Sequence, residues 1–257
     1  MLLKLLKYDF RAMWKQFSLV WGAALVMSLV NRYTLDDRYA AKLVGETGSG
    51  LLFFVLVAVC TAMFIISILF VIQRFSRGLL GSEGYLMHTL PVRPWHLVIS
   101  KLICALTACV GSTAVALISP LIMSRIRWSD LVQFPWWRLF WGLFKHLDAL
   151  VLLGEFCLLL LSLITVNIAI LYLSISLGHL FPRRRKLASA AAFIGLYVLL
   201  FNVYGRFFSL HIARQLMGMA TENIYGSMLT ASVIMLLPAG VCLAAVCWIL
   251  EHKLNLE

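Results

Sequence analysis

Six long stretches without Asp, Glu, Lys or Arg constrain this chain more than any other feature. They run over 16–31, 47–73, 102–124, 156–182, 187–205 and 223–250. A charge at the centre of a bilayer costs about 3 kcal/mol on insertion scales, so spans are charge-free. A helix needs about 20 residues to cross the hydrocarbon core. Five of the runs meet or approach that length, and the first is expected to borrow a turn from the residues before it. The chain is 62% apolar and only 13% charged, against about 25% charged for a soluble domain. Water-soluble and intrinsically disordered classes are excluded together. The expected architecture is an all-α integral membrane protein with six transmembrane helices in one domain covering 1–257.

An even number of spans puts both termini on one side, and basic residues say which. Thirteen Lys and Arg fall on the terminus side: Lys4, Lys7, Arg11, Lys15, Arg74, Arg77, Arg93, Lys101, Arg183, Arg184, Arg185, Lys186 and Lys253. Nine fall opposite. With four acids on the first side and seven on the second, the nets are +9 and +2, together the formal +11. The positive-inside rule then places both termini in the cytoplasm. The basic excess is a topology signal, and nucleic acid is not an expected partner.

Lys4, Lys7, Arg11 and Lys15 recur at helical spacing and share an arc of about 80°, with Leu3, Leu6, Phe10, Met13, Trp14 and Phe17 filling the arc beside it. The pattern predicts an amphipathic helix over 1–16, lying in the inner interface and leading into the first span. It lacks the apolar core and small-residue cleavage site of a signal peptide. Contact with membrane lipids explains its solvated cations; contact with a cytoplasmic partner is the alternative.

All six cysteines (Cys60, Cys104, Cys109, Cys157, Cys242 and Cys247) sit within spans, with no C-x-x-C pair. They read as small apolar packing residues and predict neither metal nor disulfide.

The loop over 73–97 is the most informative connection. Gly81 and Gly84 bracket Ser82 and Glu83, a turn able to start a short helix through Tyr85–Thr89, which Pro91 ends. Pro94 suits the first turn of the third span. The segment Gly81-Ser-Glu-Gly-Tyr-Leu-Met-His-Thr-Leu-Pro-Val92, followed by Ser100-Lys101, resembles the signature of bacterial ABC-2-type transporter permeases. The opening Lys7-Tyr-Asp-Phe10 resembles the start of such chains, with Asp9 where Glu is commoner.

The resemblance implies a six-span permease subunit, with type V-like exporter architecture, that forms a homodimer or heterodimer with a second permease. It implies separate cytoplasmic ABC ATPase subunits that bind ATP and Mg. It makes 73–97 a cytoplasmic coupling loop seated on the ATPase, with Glu83, Tyr85, Leu86 and Leu90 in the coupling role. The helix over 1–16, with Lys4, Lys7, Arg11 and Lys15, becomes a connecting helix. Expected substrates are hydrophobic or amphipathic, such as a peptide antibiotic or a lipid, crossing the bacterial cytoplasmic membrane.

A P-loop needs Gly-x-x-x-x-Gly-Lys-Ser/Thr, and this chain has no Gly-Lys dipeptide. No enzymatic activity is expected of the chain itself, and no cofactor, catalytic residue or metal ligand is assigned to it. Two alternatives stand beside the exporter: a non-transporting sensor or resistance subunit of an ABC complex, as in antimicrobial peptide resistance, and an intramembrane lipid-modifying enzyme. The second would need a catalytic pair at one membrane face, whereas the six histidines are scattered.

Arg183, Arg184, Arg185 and Lys186 read as an inner-face anchor, with anionic lipid binding as the functional alternative. The segment 124–150 holds Trp128, Trp136, Trp137 and Trp141, half of the chain's eight tryptophans, and reads as an outer interfacial segment. The segment 206–228 is too polar to span, and the resemblance implies re-entrant helices there. Glu155 borders the outer end of the fourth span. Asn167 and Asn202 are the candidate substrate-path residues, interhelical hydrogen bonding being the default role of Asn167. Pro238 is placed to kink the sixth span.

Overall fold

Backbone amides have no water to bond within hydrocarbon, so a long apolar run there must satisfy itself as a helix. In a computed structural model, the described residues are 2–36, 38–80, 94–123, 147–181, 183–216 and 224–252. They form α1 (Leu2–Asp36), α2 (Arg38–Leu80), α3 (Pro94–Met123), α4 (Leu147–His179), α5 (Arg185–Leu216) and α6 (Ile224–His252). There is no strand among the described residues.

Each helix contains a stretch long and apolar enough to cross a membrane: Leu6–Arg32, Phe54–Leu79, Trp95–Ile122, Leu150–His179, Arg185–Arg206 and Met228–His252. Every one overlaps a charge-free run. The first departs furthest from expectation, since α1 continues unbroken past residue 16 and its spanning stretch begins ten residues before the first run does. Likewise α5 carries the helix through Arg206 as far as Leu216, so the first half of 206–228 extends a span. The remaining residues to 223, which would decide whether that connection is re-entrant, lie outside the described residues, as does 124–146. Pro238 lies inside α6, which continues on both sides of it.

The chain divides into two compact units, the first comprising Met1–Val71 and Ile103–Trp141. Along α1 the buried positions Asp9, Met13, Phe17, Ala24, Ser28 and Asn31 recur every three, four or seven residues, a single stripe. Met13 and Phe17 pack against Cys104 and Ala108 of α3, with Phe10, Trp21 and Phe70 around them. Phe70 of α2 meets Phe17 edge-on at 5.1 Å between ring centres. The Thr107 hydroxyl donates to the Cys104 carbonyl of its own helix at 2.9 Å and lies 3.6 Å from the Met13 sulfur. Cys104 therefore serves the packing role its apolar setting implies.

A chain of hydrogen bonds stitches the same three helices deeper in the unit. Trp21 Nε1 donates to Ser112 Oγ at 3.1 Å, and the Ser112 and Ser67 hydroxyls are 2.9 Å apart. Ser67 gives its proton to the Met63 carbonyl at 2.8 Å. A hydroxyl has one proton, so Ser112 donates to Ser67, and the chain runs from α1 through α3 to α2. Its fit depends on Gly111, where a Cβ would come 2.5 Å from the Trp21 ring. Near the far end of α1, buried Arg32 donates from Nη1 to the Ile122 carbonyl at 3.0 Å, satisfying part of the last turn of α3.

The second unit comprises Ile72–Leu102 and Gly142–Glu257. Within it α4 packs chiefly on α6 and next on α5. The most buried stretch of α4, around Ala169 and Tyr172–Ser176, forms its centre. Phe75 of α2 stacks on Tyr172 at 4.1 Å between ring centres and 13° between planes, both rings almost wholly buried. Burial from lipid supplies no hydrophobic drive, so this contact holds by dispersion and shape. Phe75→Ala should leave a void of roughly 100 Å³ and cost about 2 kcal/mol at about 24 cal/mol per Å³. Reversible unfolding of the detergent-solubilised protein would measure it; an unchanged midpoint would remove the stack from the stabilising contacts.

Where α4 turns into α5, Leu180 N and Phe181 N bond the Leu177 and Gly178 carbonyls at 3.1 and 3.2 Å. Gly178 lies directly against Ser189 of α5, and a Cβ there would fall within the Ser189 side chain and 2.8 Å from its backbone nitrogen. The helices approach so closely because no side chain intervenes.

Candidate functional site

The candidate site is the loop motif with the helix ends that carry it, since those residues bear the resemblance. Glu83, Tyr85, Leu86 and Leu90 lie outside the described residues. The flanks of the loop are described. In the second unit, the last turns of α2 bury Phe75, Gly78 and Leu79, and the first turns of α3 bury Leu97, Val98, Ser100 and Lys101. Ser100 Oγ donates to the Leu97 carbonyl at 2.9 Å. Lys101 is 3% exposed, and its Cε and Nζ lie 3.4 and 3.6 Å from where a Gly78 Cβ would stand. The two helices that bracket 81–93 are thus held side by side at the base of the loop. A lysine stem laid along a glycine makes that close approach.

The charge count places Lys101 on the terminus side and says nothing of its burial. Its burial went unseen because charge counting does not register a neighbouring helix that lacks a side chain. Ser100-Lys101 formed the tail of the motif, and that was the only available signal.

Three basic residues near the start of α1 occupy one side of the helix. Lys7, Arg11 and Lys15 are all exposed, with Trp14 among them, more than half exposed. Lys4 lies on the same helix. Lys7, Arg11, Trp14 and Lys15, together with Leu6, Phe10 and Ser18, line an open groove of about 960 Å³. Of the expected apolar arc, Met13 and Phe17 are buried, whereas Trp14 is exposed beside the cations. The apolar arc, however, packs against α3 within the first unit as well as meeting its surroundings. Asp9, an acid of the terminus side, lies on the buried stripe at 3% exposure.

The two candidate path residues are not brought to one polar centre. Asn167 Nδ2 donates to the Leu163 carbonyl at 2.8 Å, and its Oδ1 accepts the Tyr197 hydroxyl of α5. That gives Asn167 the interhelical role. Asn202 Nδ2 returns to the Val198 carbonyl of its own helix at 2.7 Å. Tyr204 Oη donates to the Met235 carbonyl at 3.2 Å, joining α5 to α6. Glu155 is 7% exposed, and its Oε2 has no hydrogen-bond partner among the described residues. It does not face open water, the simplest reading of its position. No group of three His, Cys, Asp or Glu side chains able to hold a metal gathers among the described residues.

Six helices long and apolar enough to cross a membrane, with no strand among the described residues, define a multi-pass membrane protein. No family model, curated protein or solved structure matches the chain.

Proposed function

We propose that this chain is the membrane-spanning permease subunit of an ATP-driven ABC exporter, moving a hydrophobic or amphipathic substrate across a bacterial cytoplasmic membrane. The observation that carries the reading is the segment Gly81–Val92 with Ser100-Lys101, set between two helices able to span and held together at its base by Gly78 and Lys101. A loop so braced transmits a push: force on 81–93 reaches α2 and α3 together, because neither helix end moves without the other. The chain has no P-loop, so ATP and Mg belong to a partner subunit. In this scheme Glu83 meets a basic residue of that ATPase, Tyr85, Leu86 and Leu90 fill its groove, and the basic side of α1 lies at the inner membrane face with both termini cytoplasmic. A second permease completes the translocation path.

Mild extraction of the chain from its native membrane should copurify a P-loop ATPase. Glu83→Lys should reduce substrate-stimulated ATP turnover by tenfold or more while the protein inserts at its normal level. A chain that purifies without an ATPase, or a Glu83→Lys complex with normal stimulated turnover, would overturn the reading.

A further inference from the structure

The groove along α1 combines three cations with an apolar wall over about three turns of the helix. We propose that it binds one anionic phospholipid, its phosphate held by Lys7, Arg11 and Lys15 and an acyl chain lying along Leu6, Phe10 and Trp14.

Placement supports this first. At about 1.5 Å of rise per residue, Lys15 lies about 26 Å along α1 from Arg32, close to the thickness of a hydrocarbon core. The apolar stretch Leu6–Arg32 is about 40 Å long at that rise, longer than a hydrocarbon core, so with Arg32 at one boundary the turns carrying Lys15, Arg11 and Lys7 extend beyond the other. The rise from Lys15 to Lys7 is about 12 Å, which carries the three cations through the headgroup layer.

Charge complementarity supports it second. Among the described residues none of Lys7, Arg11 and Lys15 is engaged in an ion pair, and all three are exposed. The side that faces the first unit is already filled by Met13 and Phe17 against Cys104 and Ala108. The open groove therefore faces away from that core. A second copy docked symmetrically on the same face would set these cations against their equivalents, which disfavours it. An indole beside a cation at the interface suits a headgroup above and a chain below.

The proposal needs only a membrane protein, so its test uses the full chain without any ATPase and can fail or succeed apart from the transporter reading. The chain is reconstituted in phosphatidylcholine vesicles containing a trace of photoreactive phosphatidylglycerol or of photoreactive phosphatidylcholine with identical chains. Adducts are mapped by peptide mass spectrometry. Phosphatidylglycerol should label residues 6–18 at least tenfold more than phosphatidylcholine does. Each juxtamembrane cation strengthens anionic-lipid binding roughly fivefold, so Lys7→Gln/Arg11→Gln/Lys15→Gln should weaken labelling by about a hundredfold. Lys7→Arg/Lys15→Arg should retain it.

Equal labelling by the two lipids of the unaltered protein would overturn the proposal without reliance on any variant. So would full labelling of the triple glutamine variant. Displacement by soluble glycerol phosphate at equal concentration would show a phosphate site without a lipid site, and cross-linking of α1 to α1 of a second copy in place of lipid would show a dimer face; either result overturns it.

Discussion

Gly178→Ala should be the most disruptive single-methyl change in the described part of the molecule. The added carbon would fall within the Ser189 side chain and 2.8 Å from its backbone nitrogen, so α5 itself has to move away from α4. Overpacking in a dense interior costs about 1–3 kcal/mol when side chains can yield, and more when a backbone must. We expect a loss of at least about 3 kcal/mol, read as a lower unfolding midpoint in detergent and a smaller properly inserted fraction. Ser189→Gly in the same chain should recover little, since the clash with the Ser189 nitrogen remains. Full recovery would show that side-chain crowding alone fixes the spacing of α4 and α5.

Gly111→Ala makes the opposite test, because here the obstacle is a side chain. A Cβ at Gly111 meets the Trp21 ring at 2.5 Å, and the ring must swing away. Its hydrogen bond to Ser112 is lost with it, so the Trp21–Ser112–Ser67 chain loses its first donor. Overpacking and one lost hydrogen bond, about 1 kcal/mol, together amount to roughly 2–4 kcal/mol. Trp21→Phe lowers stability alone, yet combined with Gly111→Ala it should restore part of the loss. That non-additivity is expected of residues in contact. Strict additivity would mean that Gly111 and Trp21 do not share the space. The contrast between a rescuable and an unrescuable glycine separates indole crowding in the first unit from backbone crowding in the second.

Much of the architecture was legible before any coordinates. The number of spans, their approximate positions and the helical class all follow from the cost of placing charges and unbonded amides in hydrocarbon. That cost depends on residue type and little on neighbours. The arcs of α1 were equally legible, because a period of 3.6 residues places Met13 and Phe17 apart from Lys7, Arg11 and Lys15 whatever lies beyond. The loop motif was legible as a pattern, and with it the reading of function, but its coupling residues Glu83, Tyr85, Leu86 and Leu90 fall outside the described residues.

The extent of the first helix was only partly legible. The cations suggest an interfacial helix over 1–16 leading into the first span, and α1 runs unbroken from Leu2 to Asp36, because outward-facing lysines do not interrupt helical hydrogen bonds. The burial of Glu155 and Lys101 was not legible for a related reason: burial is a property of what packs alongside, and composition contains no record of that.

Charge, the element that revealed the spans, thus shows what the sequence alone determined. It set six charge-poor runs and an asymmetric +9 and +2, hence a membrane class and an expected orientation. Tertiary structure decided which polar groups leave solvent and where backbones touch. Asp9 and Lys101 are buried, Asn167 is tied to Tyr197, and Gly111 and Gly178 are the places where an absent side chain lets a neighbour approach. Transfer from water to lipid sorts residues one at a time, so a sequence carries it openly. Close packing depends on pairs brought together by folding, and a glycine's role appears only when its neighbour is in place.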